Sequence, residues 1–330
     1  MQRRRFAGVI TAMALALGLA GGGLGLARAA DNWPDKPLRF VLSQPPGSGP
    51  DTVARLVADA LAQNLGQPVV VENKPGGQNT IGALAAAKAP ADGYTYYFGT
   101  TAALVTNPLL FKSLAYAPRE DFTPVAFVSR SPFAWFVRAD SPVQSVAELV
   151  QTAQGRQGTY AVGHEGPRTF GGMIARLFNA RTAANANLVS YASVGNGVSD
   201  LMGGHVDALV TGLASASELA RQGRLRVLAM TGGERVKGWD DVPALVETLP
   251  GFQMEGWQVI VAPTGTPPAV VGRMNAAVRA VLAQPAVRAR LESVGQIPGP
   301  DWSATQLGEF LNAEHQKWTR VTQEIGVLPE

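Results

Sequence analysis

Short apolar runs alternate with amphipathic stretches along most of this chain. The first apolar run, residues 38–42, is followed by apolar positions at helical spacing, at Val53, Leu56, Val57, Ala60 and Leu61. The same reading predicts strands at residues 38–42, 68–72, 94–98, 122–128, 133–138, 159–162, 189–192, 206–210, 225–230 and 257–261. It predicts one helix that begins at residue 52, helices at 80–88, 146–153 and 170–178, and one that ends at about residue 202. Two or three more helices are predicted after residue 269. Strands that alternate with helices indicate parallel sheets with ligands at the carboxyl ends of the strands.

The chain is long enough for two domains of ordinary size. Residues 129–132 separate two apolar strands and are a plausible crossing between domains, and residues 257–261 lead the chain back. We therefore predict two α/β lobes. Residues 31–130 and 253–330 form lobe 1, and residues 131–252 form lobe 2.

A loop rich in proline and glycine joins the first strand to the first helix. Gly47 and Gly49 let the backbone approach a guest, and the amides of such a loop favour an anion at the helix start. Asp51 stands just before the helix, where its carboxylate can accept N–H groups of the first turn. The loop is not a phosphate loop, because Gly-Lys-Ser/Thr is missing and Thr52 replaces the third glycine of GxGxxG. A structural turn and a ligand contact both remain open.

Further loops follow strands in the same way. Thr100 and Thr101 end the third strand, and residues 163–169 and 193–197 precede helices of the second lobe. Arg168 could clamp a carboxylate or simply lie exposed on the first helical turn. His164 could contact a guest, whereas Asp207 could touch ligand or bond to a neighbouring loop.

The first 30 residues read as an export signal. A basic start at residues 3–5 precedes an apolar stretch rich in glycine and alanine, and Ala27-Arg28-Ala29 fits a cleavage site. The arginines resemble part of a twin-arginine signal, and general secretion is the commoner route. The absence of cysteine excludes a lipid-modified cysteine and disulfides. We expect a soluble protein in the periplasm, cleaved near Ala29.

The composition and the motifs argue against several classes of function. The net charge of +3 is spread along the chain, so nothing marks nucleic acid as a partner. The three histidines, His164, His205 and His315, lie in no metal-ligand spacing, and there is no GxSxG elbow. The sequence therefore predicts no enzyme, no metal and no cofactor.

Several short motifs, in order along the mature chain, resemble one family. They are PDKPL at 34–38, PPGSGPD at 45–51, VVENKPGG at 70–77, APADGYT at 89–95, DFTPVA at 121–126, GGHVD at 203–207, GRLRVLA at 223–229, VP at 242–243 and APTGTP at 262–267. Together they look like the Bug-type extracytoplasmic binding proteins of tripartite tricarboxylate transporters. The resemblance covers essentially the whole chain after residue 30.

The resemblance implies the two-lobed type II periplasmic binding protein fold with a ligand cleft between the lobes. It implies that the protein captures a small organic acid, usually a carboxylate, and passes it to a two-component membrane permease; we expect a monomer. The contacts that it implies are Ser43, Gln44, Gly47, Ser48, Gly49, Asp51, Thr100, Thr101, Ala102, Gly163, His164, Arg168, Thr169, Ser193, Asn196 and Asp207.

The sequence also departs from the family pattern. Ser43 and Gln44 replace a proline and an aromatic residue, and Ser48-Gly49-Pro50 replaces a Gly-Gly pair followed by threonine or serine. Residues 164–169 bring charge into a segment where small residues and serines are usual. We therefore expect a guest different from the commonest dicarboxylates. Two alternatives remain: a sensor that signals to a membrane kinase, and a secreted enzyme of the same architecture.

Overall fold

The computed structural model describes residues 32–156 and 158–329, and the predicted export signal lies outside them. Eleven strands occur in this part of the chain: β1 (Leu38–Leu42), β2 (Val69–Asn73), β3 (Thr95–Thr100), β4 (Phe122–Ser131), β5 (Phe133–Arg138), β6 (Ala161–His164), β7 (Asn187–Ser190), β8 (Ala208–Gly212), β9 (Leu225–Met230), β10 (Gly256–Pro263) and β11 (Ile297–Pro298).

Eleven α-helices are present in the same residues. They are α1 (Gly49–Leu65), α2 (Thr80–Ala87), α3 (Asn107–Leu110), α4 (Pro118–Asp121), α5 (Val146–Gly155), α6 (Phe170–Thr182), α7 (Val194–Gly203), α8 (Leu213–Arg221), α9 (Pro268–Ala283), α10 (Pro285–Ser293) and α11 (Ala304–Glu324). A π-helical turn covers Ala102–Thr106, and 3-10 turns cover Gly77–Asn79 and Leu245–Glu247. No helix among the described residues is long and apolar enough to span a bilayer.

The strands form two separate sheets. The first has the order β11-β4-β10-β3-β1-β2, and the second has the order β7-β6-β8-β5-β9. In the first sheet β1 pairs in parallel with β2 and β3, whereas β10 runs antiparallel to both β3 and β4. In the second sheet β6 is parallel to β7 and β8, and β5 is antiparallel to β8 and β9. Each sheet and its helices form one lobe, so the protein has a two-lobed α/β fold.

Local sequence explains why α1 begins and ends where it does. The Ser48 side chain accepts the N–H of Asp51 at the start of the helix, and Gly66 ends it with φ +69°, a conformation that glycine adopts without strain. Val53, Val57 and Leu61 fall on one face of the helix and are fully buried. Burial of this apolar face is what holds α1 against the first sheet.

The chain crosses between the lobes beside the carboxyl edges of both sheets. Ser131 ends β4 and pairs with Gly256 in the first sheet, and Phe133 begins β5 and pairs with Gly212 in the second. β4 runs in the same direction as β3, because both are antiparallel to β10. Pro132 alone separates the two strands, so the carboxyl edges of the sheets adjoin.

A second contact between the lobes lies along α11. The Phe170 ring of α6 packs on Trp318 of α11 with their centroids 5.3 Å apart. Arg181 Nε and Nη2 donate to the two carboxylate oxygens of Glu324 at 2.8 and 3.0 Å, and Arg181 Nη1 donates to the Gly251 carbonyl. The C-terminal helix of the first lobe therefore rests on the second lobe.

Several predicted boundaries were wrong by one to four residues, and two of these errors matter for the site. The predicted crossing at 129–132 is mostly strand, since β4 continues to Ser131. The predicted strand at 159–162 lies at Ala161–His164, so Gly163 and His164 belong to the strand rather than to the following loop.

Candidate functional site

Six helical segments begin at the adjoining carboxyl edges of the two sheets. In the first lobe α1, α2 and the π-helical turn follow β1, β2 and β3, and in the second α6, α7 and α8 follow β6, β7 and β8. The first turn of each helix has backbone N–H groups without intrahelical partners and the positive end of the helix dipole. The positive ends of these helix dipoles therefore lie along the boundary between the lobes.

Asp51 braces the first of these loops from inside. Its carboxylate accepts the Gly47 N–H at 2.8 Å, Asn73 Nδ2 at 2.8 Å and Arg55 Nε at 3.0 Å, and the residue is only 3% exposed. Burial alone would raise the pKa of Asp51, but the hydrogen bonds from Arg55, Asn73 and Gly47 outweigh burial and lower it. Asp51 was expected to cap the helix from outside. Instead it lies within α1, and Ser48 caps the helix.

This brace changes the role of the glycine loop. The Gly47 N–H is committed to Asp51, and the Ser48 N–H donates to the Pro45 carbonyl at 3.3 Å. Gly47 has φ +79° and lies on the exposed rim, while Gly49 opens α1. The loop is thus held in a fixed shape, with the start of α1 behind it.

Ser43 is buried at the end of β1 and faces inward. Its Oγ donates to the Asn79 carbonyl at 2.9 Å and lies 2.7 Å from the Tyr97 hydroxyl. Because the one proton of the Ser43 hydroxyl is used in the bond to the Asn79 carbonyl, the Tyr97 hydroxyl is the donor to Ser43 Oγ. Burial raises the pKa of Tyr97. A side chain at Gly82 would overlap Ser43 Oγ, and α2 therefore packs directly on this strand end.

Gln44 ties the three loops of the first lobe together. Its Nε2 donates to Asn79 Oδ1 at 3.1 Å and to Thr100 Oγ1 at 3.3 Å, and its carbonyl accepts Asn73 Nδ2. Gln44 Oε1 is buried and has no hydrogen-bond partner among the described residues. Asn79 itself has φ +76°, a left-handed conformation that asparagine tolerates better than most residues.

Thr100, Thr101 and Ala102 form the transition from β3 into the π-helical turn. Both threonines are buried, and Thr101 Oγ1 accepts the Trp257 N–H at 3.2 Å, which attaches this turn to the returning strand β10. A π-turn at a strand end is a geometry that often accompanies functional sites.

His164 ends β6 and is 3% exposed. Its Nδ1 accepts the Gly166 N–H at 3.0 Å, which leaves Nε2 to carry the proton of the neutral ring. Burial lowers the pKa of His164, and the charge of Arg176 lowers it further. The imidazole is therefore a neutral group at the end of β6, where it accepts a hydrogen bond from the loop that leads to α6.

Glu165 turns its carboxylate into the second lobe. Its Oε1 accepts the Thr211 hydroxyl at 2.6 Å. Burial raises the pKa of Glu165, and hydrogen bonding from Thr211 and from nearby backbone N–H groups opposes that rise. A methyl group at Gly171 would overlap Glu165 Oε2, so the absence of a side chain there makes room for the carboxylate.

The remaining residues of the second lobe lie at helix starts. Thr169 caps α6, where its Oγ1 accepts the Gly172 N–H and donates to the Gly166 carbonyl. Arg168 is partly exposed immediately before this cap. Ser193 caps α7 by accepting the N–H of Asn196, and both residues are exposed.

Asp207 lies apart from the other expected residues. It precedes β8, at the amino end of that strand, and its carboxylate accepts Arg156 Nη1 and the Ala161 N–H, both at 2.7 Å. Because β6 and β8 are parallel, this end is opposite to the edge where His164 lies. The expectation that Asp207 contacts ligand does not fit this position.

Sequence reasoning missed four residues that shape the site. Asn73 and Asn79 brace the first lobe, Thr211 and Gly171 hold Glu165, and each lies at a strand end or helix start. The two asparagines in a turn-rich segment were a usable signal, because asparagine favours turns and left-handed backbone. Nothing in the local pattern marks Thr211. Among the described residues no cluster of three histidine, cysteine, aspartate or glutamate side chains could hold a metal ion.

Two α/β lobes whose helix starts converge on one boundary define a two-lobed periplasmic binding protein. The model of the tripartite tricarboxylate transporter family receptor, TctC, matches residues 53–327. The protein belongs to this family of Bug-type receptors. A UPF0065 protein of Bordetella bronchiseptica is 35% identical over 99% of this chain and 97% of its own length. Protein BugT of Bordetella pertussis is 32% identical over 93% of this chain and 95% of its own length.

Solved structures agree with this assignment. Rpa4515 of Rhodopseudomonas palustris with adipate superposes with a TM-score of 0.82 at 31% identity, covering 91% of this chain and all of that one. MatC from Rhodopseudomonas palustris with bound malate gives a TM-score of 0.76 at 30% identity, covering 88% and 99%. The family and these neighbours are solute-binding proteins, and the two ligands are carboxylates.

Proposed function

We propose that this protein captures a small organic acid between its two lobes in the periplasm and delivers it to a two-component membrane permease. In this proposal residues 31–130 and 253–330 form one lobe, residues 131–252 form the other, and residues 1–30 direct export and are removed near Ala29. The protein acts as a monomer, without cofactor or catalysis. The observation that carries the proposal is the convergence of six helix starts on the boundary between the sheets.

Closure of the lobes supplies the physical basis of capture. A carboxylate held at the starts of α1, α2 and the π-helical turn meets the starts of the helices of the second lobe when the lobes approach. Exclusion of water lowers the local dielectric constant, which strengthens the attraction between the carboxylate and the helix dipoles. Closed and open forms then present different surfaces, and the permease can distinguish loaded from empty receptor.

Arg168 has a specific part in this proposal. Arg168 immediately precedes the Thr169 cap of α6, and a guanidinium carries several donors that suit a carboxylate at this helix start. Titration calorimetry of residues 31–330 with straight-chain organic acids of three to six carbons tests capture and the role of Arg168 together. We expect Arg168→Ala to weaken binding at least tenfold, or about 1.4 kcal/mol. Arg290→Ala, exposed on α10, is the matched control and should bind as the wild type does.

The outcomes separate the alternatives. Absence of binding to every organic acid would refute the receptor proposal, and unchanged affinity in Arg168→Ala would refute only the clamp. Chemical conversion of a bound acid would favour a secreted enzyme. A last experiment measures uptake of the bound acid by cells that lack this gene. Uptake that is restored by the gene together with a permease, and not by the gene alone, indicates transport rather than signalling to a kinase.

A further inference from the structure

The second lobe already contains a carboxylate at the carboxyl edge of its sheet, beside two helix starts. Glu165 follows the end of β6, and its Oε2 lies against Gly171 in the first turn of α6, where a Cβ would overlap it. The Thr211 hydroxyl donates to the same carboxylate at 2.6 Å. Thr211 is completely buried, so this donor reaches no group other than its neighbours inside the lobe.

The Glu165 carboxylate occupies the space that an incoming anion would need at these helix starts. A helix start binds an anion through unpaired N–H groups that point along the helix axis. Glu165 Oε2 lies over the first turn of α6, and Oε1 is held by Thr211, the residue before the Gly212 cap of α8. A second carboxylate brought in by closure would therefore lose its water without gaining those hydrogen bonds, which is unfavourable for a charged group.

We propose that Glu165 is a specificity-determining residue that takes the place of the second carboxylate of a dicarboxylate, so that the protein selects small organic acids with one carboxylate. This inference rests on the proposed function and narrows its class of ligand. One acid group is held by the helix starts of the first lobe and by Arg168. The rest of the ligand, lacking a second charge, faces the Glu165 side of the second lobe.

The test compares pairs of acids of equal chain length, of which one has a carboxylate at one end and the other has a carboxylate at both ends. Calorimetry on residues 31–330 measures propanoate against malonate, butanoate against succinate, pentanoate against glutarate, and hexanoate against adipate. At the length that binds most tightly we expect the monocarboxylate to bind at least tenfold better than the dicarboxylate. In Glu165→Ala the freed donors should shift this ratio at least tenfold toward the dicarboxylate.

Two further variants test the geometry independently. Gly171→Ala keeps the glutamate but pushes its carboxylate out of the helix start, and it should shift the ratio in the same direction as Glu165→Ala. Glu165→Gln keeps the size of the side chain and replaces one acceptor with a donor, and it should shift the ratio less. Glu309→Ala, exposed on α11, is the matched control and should leave the ratio unchanged. Circular dichroism of each unliganded variant identifies any that does not fold.

The results distinguish this inference from the function beneath it. If the wild type binds a dicarboxylate more tightly than the monocarboxylate of the same length, the proposed selectivity for monocarboxylates is refuted, although the receptor function stands. A ratio that moves less than twofold in every folded variant of Glu165 and Gly171 refutes the role of Glu165. If the protein binds neither member of any pair, both proposals fail.

Discussion

Replacement of Asp51 by alanine tests whether the binding loop of the first lobe is braced from within. The variant removes three hydrogen bonds, to Gly47, Asn73 and Arg55, from a residue that is 3% exposed. The bonds to Gly47 and Asn73 involve a buried charged acceptor and contribute about 1.5 kcal/mol each. The Arg55 side chain is 49% exposed, so that pair adds at most about 0.5 kcal/mol. The expected loss is therefore about 3 kcal/mol.

Thermal unfolding of residues 31–330 at pH 7 measures this loss. A loss of about 3 kcal/mol corresponds to a fall of about 6 °C in Tm for a protein of this size. Asp59→Ala is the matched control, since Asp59 is exposed on the same helix. A Tm for Asp51→Ala within 1 °C of the wild type would show that the brace does not stabilise the loop.

The pH dependence of the same variant gives a second readout. Because the pKa of Asp51 is lowered in the folded protein, its contribution is complete above the unfolded pKa of about 3.9. It is lost as the pH falls through the folded pKa. The difference between wild type and Asp51→Ala should therefore shrink progressively below about pH 4. A difference that stays constant down to pH 2 would contradict the assignment of a charged, hydrogen-bonded carboxylate.

Three other changes have defined outcomes. The pKa of His164 is lowered in the folded protein, so its contribution to stability is complete above about pH 6.5 and falls as the pH drops. The free energy of unfolding in urea should therefore depend less on pH between about 7.5 and 5 in His164→Gln than in the wild type. Arg181→Ala and Glu324→Ala should each change the radius of gyration measured by X-ray scattering, and the double variant should match either single one. Gly172→Ala places a methyl group against the Gly166 carbonyl and should lower the Tm by several degrees, measured by calorimetry.

Strand positions were the part of the fold best predicted from the sequence. Residues 133–138 and 225–230 coincide with β5 and β9, because each is a mostly apolar run bounded by turn residues. The last third of the chain was expected to contain two or three helices and contains α9, α10 and α11. Errors arose where polar residues continue a strand, as Ser129 and Ser131 do in β4. Their hydrogen bonds to Gln258 and Gln296 compensate for burial, and neither partner is local in sequence.

The positions of the strand-to-helix loops were predicted from the sequence, and the contacts of their side chains were not. The loops at residues 43–51, 100–102 and 163–169 lie at the carboxyl edges, as strand-to-helix turns must in a parallel sheet. Asp51 was expected to face a ligand, whereas it faces inward, because Asn73 comes from the next strand. Glu165 belongs to the charged segment 164–169, and its bond to Thr211 joins residues 46 positions apart. Such pairings depend on the tertiary fold, which a single sequence pattern does not reveal.

The pairing of Ser131 with Gly256 has a consequence for engineering and for evolution. Chain entry and exit for the inserted lobe lie side by side on one antiparallel pair, so residues 132–255 can be exchanged with the equivalent segment of a relative through only two junctions. Such a chimaera keeps the first lobe and replaces the second. Substitutions in the inserted lobe can then accumulate while the other lobe stays intact.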